Sequence, residues 1–166
     1  MHILKCVLIG DPGVGKSALV QRFTKQSFRD RWYPTVFDTN SQYVMMDGIL
    51  TVISMWEVSC LPEHRESRDK FAYLDANACL FCFAMNDLDS LKALVKWKEE
   101  VQNMKIILVG LKSDLQIETP YMAIKNVQAE VGAVKFCACS SKKNADVSFI
   151  FDTLIRSCKC DTFNWF

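Results

Sequence analysis

The run GDPGVGKS, Gly10–Ser17, carries the reading from which the fold follows. It comes straight after the apolar run Ile3–Ile9 and straight before SALVQRF, which reads as helix. Glycines at 10, 13 and 15 let backbone N–H groups turn toward an anion. The start of the following helix adds the positive end of its dipole. A strand, a glycine-rich loop ending in Lys-Ser and a helix, in that order, match a phosphate-binding loop. In such a loop Lys16 reaches the β and γ phosphates, and the Ser17 hydroxyl ligates Mg²⁺. Gly13, Val14, Gly15 and Ala18 complete the run expected to hold a nucleotide. Pro12 has no N–H to give, so the cradle draws on amides from Gly13 onward.

Working outward, further apolar strand-like runs lie at Ile49–Trp56, Ala78–Ala84, Ile106–Gly110 and Val134–Ala138. Ser41–Met46 reads as another strand, joined to the next by a hairpin turn at Asp47–Gly48. Helical patterns lie between the strands. Asn86 is expected to cap a helix carrying Leu88, Leu91, Val95 and Val101. Asn144 is expected to cap the last helix, whose stripe is Val147, Ile150, Phe151, Leu154, Ile155 and Cys158. Continuous apolar strands alternating with helices predict an α/β fold. Its sheet is six-stranded and mostly parallel, with helices on both faces and one antiparallel edge strand. Ligands of such sheets bind at the carboxyl ends of the strands.

The chain has 166 residues, which suits one domain over 1–166. Lys plus Arg number 20 and Asp plus Glu number 19, so no global field points to nucleic acid or an anionic membrane. The N-terminus lacks a signal-peptide layout, and no apolar run approaches the ~18 residues of a membrane span. The eight cysteines are therefore expected to be reduced thiols of a cytoplasmic protein. CLFC at Cys79–Cys82 invites a metal reading. On a strand, however, residues three apart face opposite sides, and no matching cysteine pair stands beside the two histidines. Cys137 and Cys139 share a strand face and read as small buried hydrophobes.

VGLKSD, Val109–Asp114, stands near the C-terminal end of a later strand. A carboxylate there accepts hydrogen bonds from N1–H and the N2 amino group of guanine; adenine offers neither donor. At about 1.5–3 kcal/mol each, two such bonds separate the bases by more than a hundredfold. Lys112 has an aliphatic stem to lay along the base plane. CSSKK, Cys139–Lys143, supplies a polar loop for the base oxygen.

With those residues in view the chain resembles Ras-superfamily small GTPases, most closely the Rho/Rac branch. RWYPTVFDTN at Arg31–Asn40 is similar to that branch's effector loop, and FCFAMNDLDSL at Phe81–Leu91 and Lys96–Trp97 follow its order of motifs. The resemblance implies that Ser17 and Thr35 hold Mg²⁺ and that Phe28 lies against the guanine. Trp32 would close over the phosphates. Lys112 and Asp114 would recognise the base, with Ser140, Ser141 and Lys142 beside it. It also implies GTP or GDP as ligand, effector proteins bound through Arg31–Asn40, and an exchange factor or GTPase-activating protein.

The departures centre on WEVSCLPE, Trp56–Glu63. The family pattern DTAGQE is replaced by EVSCLP. Glu57 stands where an Asp holds Mg²⁺ through water, and it is one methylene longer. Cys60 stands where a glycine swings its amide onto the γ-phosphate. Leu61 stands where a glutamine orients the attacking water. Pro62 restricts Leu61 to extended backbone. Glu63 and His64 are expected at the surface. Leu111 replaces an Asn or Thr, the Rho helical insert is absent, and the end, CKCDTFNWF, is no prenylation signal, so no direct membrane anchor is expected. Three readings follow: a switch that binds nucleotide but hydrolyses it poorly, a GTPase completed by an accessory protein, or a nucleotide-free scaffold.

Overall fold

The computed structural model describes residues 1–28, 37–101 and 103–159. In chain order the elements are β1 (His2–Ile9), α1 (Lys16–Lys25), β2 (Phe37–Met46), β3 (Ile49–Val58), the one-turn α2 (Arg65–Ser67) and β4 (Ala78–Ala84). They continue with α3 (Leu88–Lys92), β5 (Lys105–Leu111), α4 (Tyr121–Val131), β6 (Lys135–Ala138) and α5 (Val147–Lys159). The strands form one sheet in the order β2-β3-β1-β4-β5-β6. Only the β2–β3 pair is antiparallel; the remaining pairs are parallel. This is the predicted α/β sheet with its antiparallel edge strand.

Burial along each strand follows its place in the sheet. Every residue of β4, at the centre, is buried, because both faces are covered. On β3, near the edge, buried Thr51, Ile53 and Met55 alternate with partly exposed neighbours, so only one face packs. One apolar cluster joins β1, α1 and α5 and includes Leu19, Phe23, Phe151 and Leu154. The rings of Phe23 and Phe151 stack at 3.7 Å between centroids. The other cluster lies on the opposite face and holds Phe81, Phe83, Leu91, Trp97 and Ile124. Cys79 belongs to this second cluster and Cys82 to the first, so the CLFC pair straddles the sheet as its spacing predicts. Cys137 and Cys139 are both buried in the first cluster. Among the described residues no helix is long and apolar enough to cross a membrane.

Several local expectations need correction. Asp87, not Asn86, caps α3: its carboxylate accepts from the amides of Asp89 and Ser90 at 3.0 and 3.2 Å. A single helix from Leu88 to Val101 does not form. After Lys92 the chain tightens into a 3₁₀ turn over Ala93–Trp97, and packing of Leu94 and Trp97 on the second cluster decides that geometry. Asn144 does not cap α5, which starts at Val147. It sits at φ 53° inside the turn closed by the Ser140–Ala145 bridge. Strand β2 starts at Phe37, four residues before the expected Ser41, because its early polar residues still pair with β3.

Candidate nucleotide site

The carboxyl ends of β1, β3 and β5 open into a cleft of about 890 Å³. Gly15 makes the turn from loop to helix. It caps α1 at φ 113°, where a side chain would be strained. Gly10 is needed for a different reason: a Cβ there would overlap the Cys82 carbonyl oxygen on β4. These two glycines let the loop lie close against the sheet and aim its backbone into the cleft.

Of the residues singled out in the sequence, Gly13, Gly15, Lys16, Ser17, Ala18 and Phe28 line this cleft. So do Lys112, Asp114, Ser141, Lys142, Glu57 and Leu61 from the other elements. Val14 does not; its side chain is buried in the first apolar cluster, which leaves only its backbone to the loop. Ser140 lies behind the lining. Trp32 and Thr35 lie outside the described residues, as does Arg31–Val36 of the effector stretch. Glu63 is exposed, and neither it nor His64 lines the cleft.

The polar groups are ordered by one another. Lys16 donates to the carbonyls of Gly10 at 2.6 Å and Asp11 at 3.0 Å, which parks its ammonium over the loop. The Ser17 hydroxyl donates to Glu57 Oε2 at 2.5 Å. Glu57 is buried, and that burial raises its pKa against the opposing pull of the Ser17 bond and Lys16. Asp38 pairs opposite it across β2–β3 and adds a like charge that pushes the same way. A hydroxyl and a carboxylate oxygen side by side are the hard donors that Mg²⁺ takes, so Ser17 and Glu57 suit that ion.

At the far end, the Ser140 hydroxyl donates to Asp114 Oδ1 at 2.6 Å. That bond is the main cause holding the Asp114 carboxyl below its ordinary range. Lys112, at φ 58°, spans the cleft and donates to the Gly13 carbonyl at 2.6 Å. It thus ties the loop after β5 to the loop after β1.

Two arginines went unnoticed in the sequence. Arg22 on α1 donates to the carbonyls of Ser141 at 2.6 Å and Lys142 at 3.1 Å, and sits over the Phe28 ring at 5.9 Å. It holds three cleft-lining residues together. Its signal was only a charged residue on an otherwise amphipathic helix. Arg68, in the polar run RESRDK, is 2% exposed and donates to the carbonyls of Ser59 and Leu61 at 2.9 and 2.8 Å. No local pattern separates it from its solvated neighbours.

In the segment behind the cleft mouth, the Cys60 thiol donates to the Gly10 carbonyl at 3.0 Å. Leu61 has φ −70° and ψ 139°, the extended geometry expected before Pro62. Its side chain is 48% exposed and has no hydrogen-bonding atom. All seven described cysteines are free thiols.

The Ras family model matches residues 5–160 of the chain. GTP-binding protein RHO2 of Saccharomyces cerevisiae is 31% identical, over 92% of this chain and 88% of its own length. Rho-related GTP-binding protein RhoH of Bos taurus is 29% identical, over 93% of this chain and 86% of its own. RhoH of Mus musculus is 28% identical over the same shares.

Proposed function

Because the chain belongs to the Ras family, in its Rho branch, we propose that it is a GTP- and GDP-binding signalling switch that hydrolyses GTP slowly or not at all. The observation that carries the second half is Leu61. It lines the cleft beside the phosphate loop, yet offers no atom that orients water. Phosphoryl transfer rests on positioning and charge stabilisation, so losing the positioning group disables cleavage while leaving binding largely intact.

Binding would be divided among the chain's own groups as follows. Backbone amides from Gly13 to Ala18 meet the phosphates. Lys16 exchanges its two loop carbonyls for phosphate oxygens, a charge-assisted contact stronger than those it leaves. Ser17 and Glu57 would hold Mg²⁺, with Thr35 a further ligand on the family pattern. When bound, that ion would neutralise phosphate charge. Asp114, oriented by the Ser140 hydroxyl, would accept from the guanine edge. Phe28, steadied by Arg22, covers the base. Effector proteins would engage Arg31–Asn40.

Single-turnover hydrolysis of radiolabelled GTP, in parallel with calorimetric titration of GDP, tests this reading. Micromolar or tighter binding with cleavage far below that of ordinary family members is expected. Cleavage at an ordinary rate removes the second half of the proposal, and absent binding removes all of it. A nucleotide-free scaffold gains support from one observation: Lys16 and Ser17 already pair with groups of the chain. The titration separates the two.

A further inference from the structure

The segment from Ser59 to Ala72 is tied to the rest of the molecule at three points through the chain's own groups. At its start the Cys60 thiol reaches the Gly10 carbonyl across fifty residues of sequence. In its middle, buried Arg68 turns back and donates to the carbonyls of Ser59 and Leu61. The same guanidinium pairs with Glu100, Nε to Oε2 at 3.2 Å and Nη2 to Oε1 at 3.3 Å. Glu100 also accepts from the Tyr73 hydroxyl at 3.0 Å, and Arg68 lies 4.9 Å from the centre of the Trp97 ring. At its end Lys5 donates to the carbonyls of Phe71 and Leu74, both at 2.7 Å, while lying over the Trp56 ring at 4.2 Å.

In GTPase switches such a segment is ordered by contacts to the terminal phosphate and its metal, and is released when that phosphate is lost. A ligand shifts an equilibrium only by its differential interaction with the two states. Here the carbonyls of Ser59 and Leu61 are satisfied by a buried charge. The side chain at 60, absent in a glycine, supplies its own tie to the phosphate loop. Pro62 removes one amide and narrows the backbone before it. The Leu61 amide also donates within the segment, to the Ser59 hydroxyl at 3.2 Å.

We propose that Ser59–Ala72 keeps one conformation whichever nucleotide is bound, with Arg68 as its positioning residue and Cys60 as its latch to the phosphate loop. This rests on the reading that the chain binds guanine nucleotides. The exposed apolar side chains Leu61 and Phe71 are then displayed in the same arrangement in both states.

Hydrogen exchange of the full chain, followed by mass spectrometry on peptides covering 59–73, tests it with GDP and with a non-hydrolysable GTP analogue. Exchange in the wild type is expected to agree within about twofold between the two nucleotides. In Arg68→Lys and in Cys60→Gly it is expected to differ by about tenfold or more. A merely structural Arg68 would raise exchange equally in both states and leave no such difference. A tenfold difference in the wild type overturns the proposal, and so does its absence in both variants. Should Arg68→Lys not fold, Glu100→Gln loosens the same guanidinium. Should calorimetry show that neither nucleotide binds, the functional reading fails. The claim of one conformation in both nucleotide states falls with it, a failure that calorimetry tells apart from a tenfold exchange difference in a chain that binds both nucleotides.

Discussion

The Ser17 hydroxyl and the Glu57 carboxylate, forty positions apart in sequence, meet at 2.5 Å in the floor of the cleft. Ser17 is the last residue of the phosphate loop run, and Glu57 is close to the end of β3, so the contact joins the loop to the strand beside it. A carboxylate one methylene longer than aspartate reaches further toward the hydroxyl and toward any cation that the pair would hold. Mg²⁺ demands near-ideal octahedral geometry. Glu57→Asp is therefore expected to retain a fluorescent guanine nucleotide more tightly in Mg²⁺, and to lose it more sharply on chelation. The change in release rate should be about tenfold, roughly 1.4 kcal/mol. Stopped-flow release with and without EDTA checks this. Equal rates in the two proteins would show that the extra methylene is inert.

Leu61 is the position where restored chemistry is most direct. Leu61→Gln is expected to raise single-turnover hydrolysis on the order of tenfold, and Cys60→Gly with Leu61→Gln more than either alone, because both positioning and backbone freedom return. The two sites are neighbours, so non-additivity is expected. A double variant no faster than wild type would count against positions 60 and 61 as what limits hydrolysis.

Asp114 has a pH signature. The Ser140 hydroxyl bond lowers its pKa below the ordinary 3.8. Its folded-state value is depressed, so its contribution to stability is fully present above the unfolded value and is lost as pH falls through the folded one. That window lies below about pH 4. Ser140→Ala removes the largest cause and should return the titration toward 3.8. Carboxyl carbon shifts of Asp114 followed by NMR read this directly. An unchanged titration would assign the shift to the backbone hydrogen bond at Asp114 and to Lys142 and Lys143 instead.

Phe151 joins α5 to α1 through its stack on Phe23 and is fully buried. Phe151→Ala should destabilise the chain by about 3–5 kcal/mol in urea unfolding. A cost near 1 kcal/mol would mean that the first apolar cluster collapses around the gap.

What could be read in advance divides along one line. Strand, glycine-rich loop and helix at the start of the chain, the alternation of apolar runs with helices, and the stripe on α5 are local patterns, and local patterns dictate backbone periodicity and burial. The runs Gly10–Ser17 and Val109–Asp114 stood out for the same reason: each is short and local, and residues of both line the one cleft. Helix starts fared worse. Asn86 and Asp87 are both good caps, and the backbone angle that chooses between them comes from packing.

The sequence by itself determined the sheet, the order of its helices, the glycine-rich loop that lines the cleft and a side chain without hydrogen-bonding atoms at position 61. Only the tertiary structure decided that Arg68 turns inward to Glu100, that Arg22 holds the loop at Ser141 and Lys142, and that the Cys60 thiol closes on Gly10. The physical reason is that a charged residue in a polar run looks solvated until the chain brings it a partner. Burying it is then tolerable only because carbonyls and a carboxylate surround it.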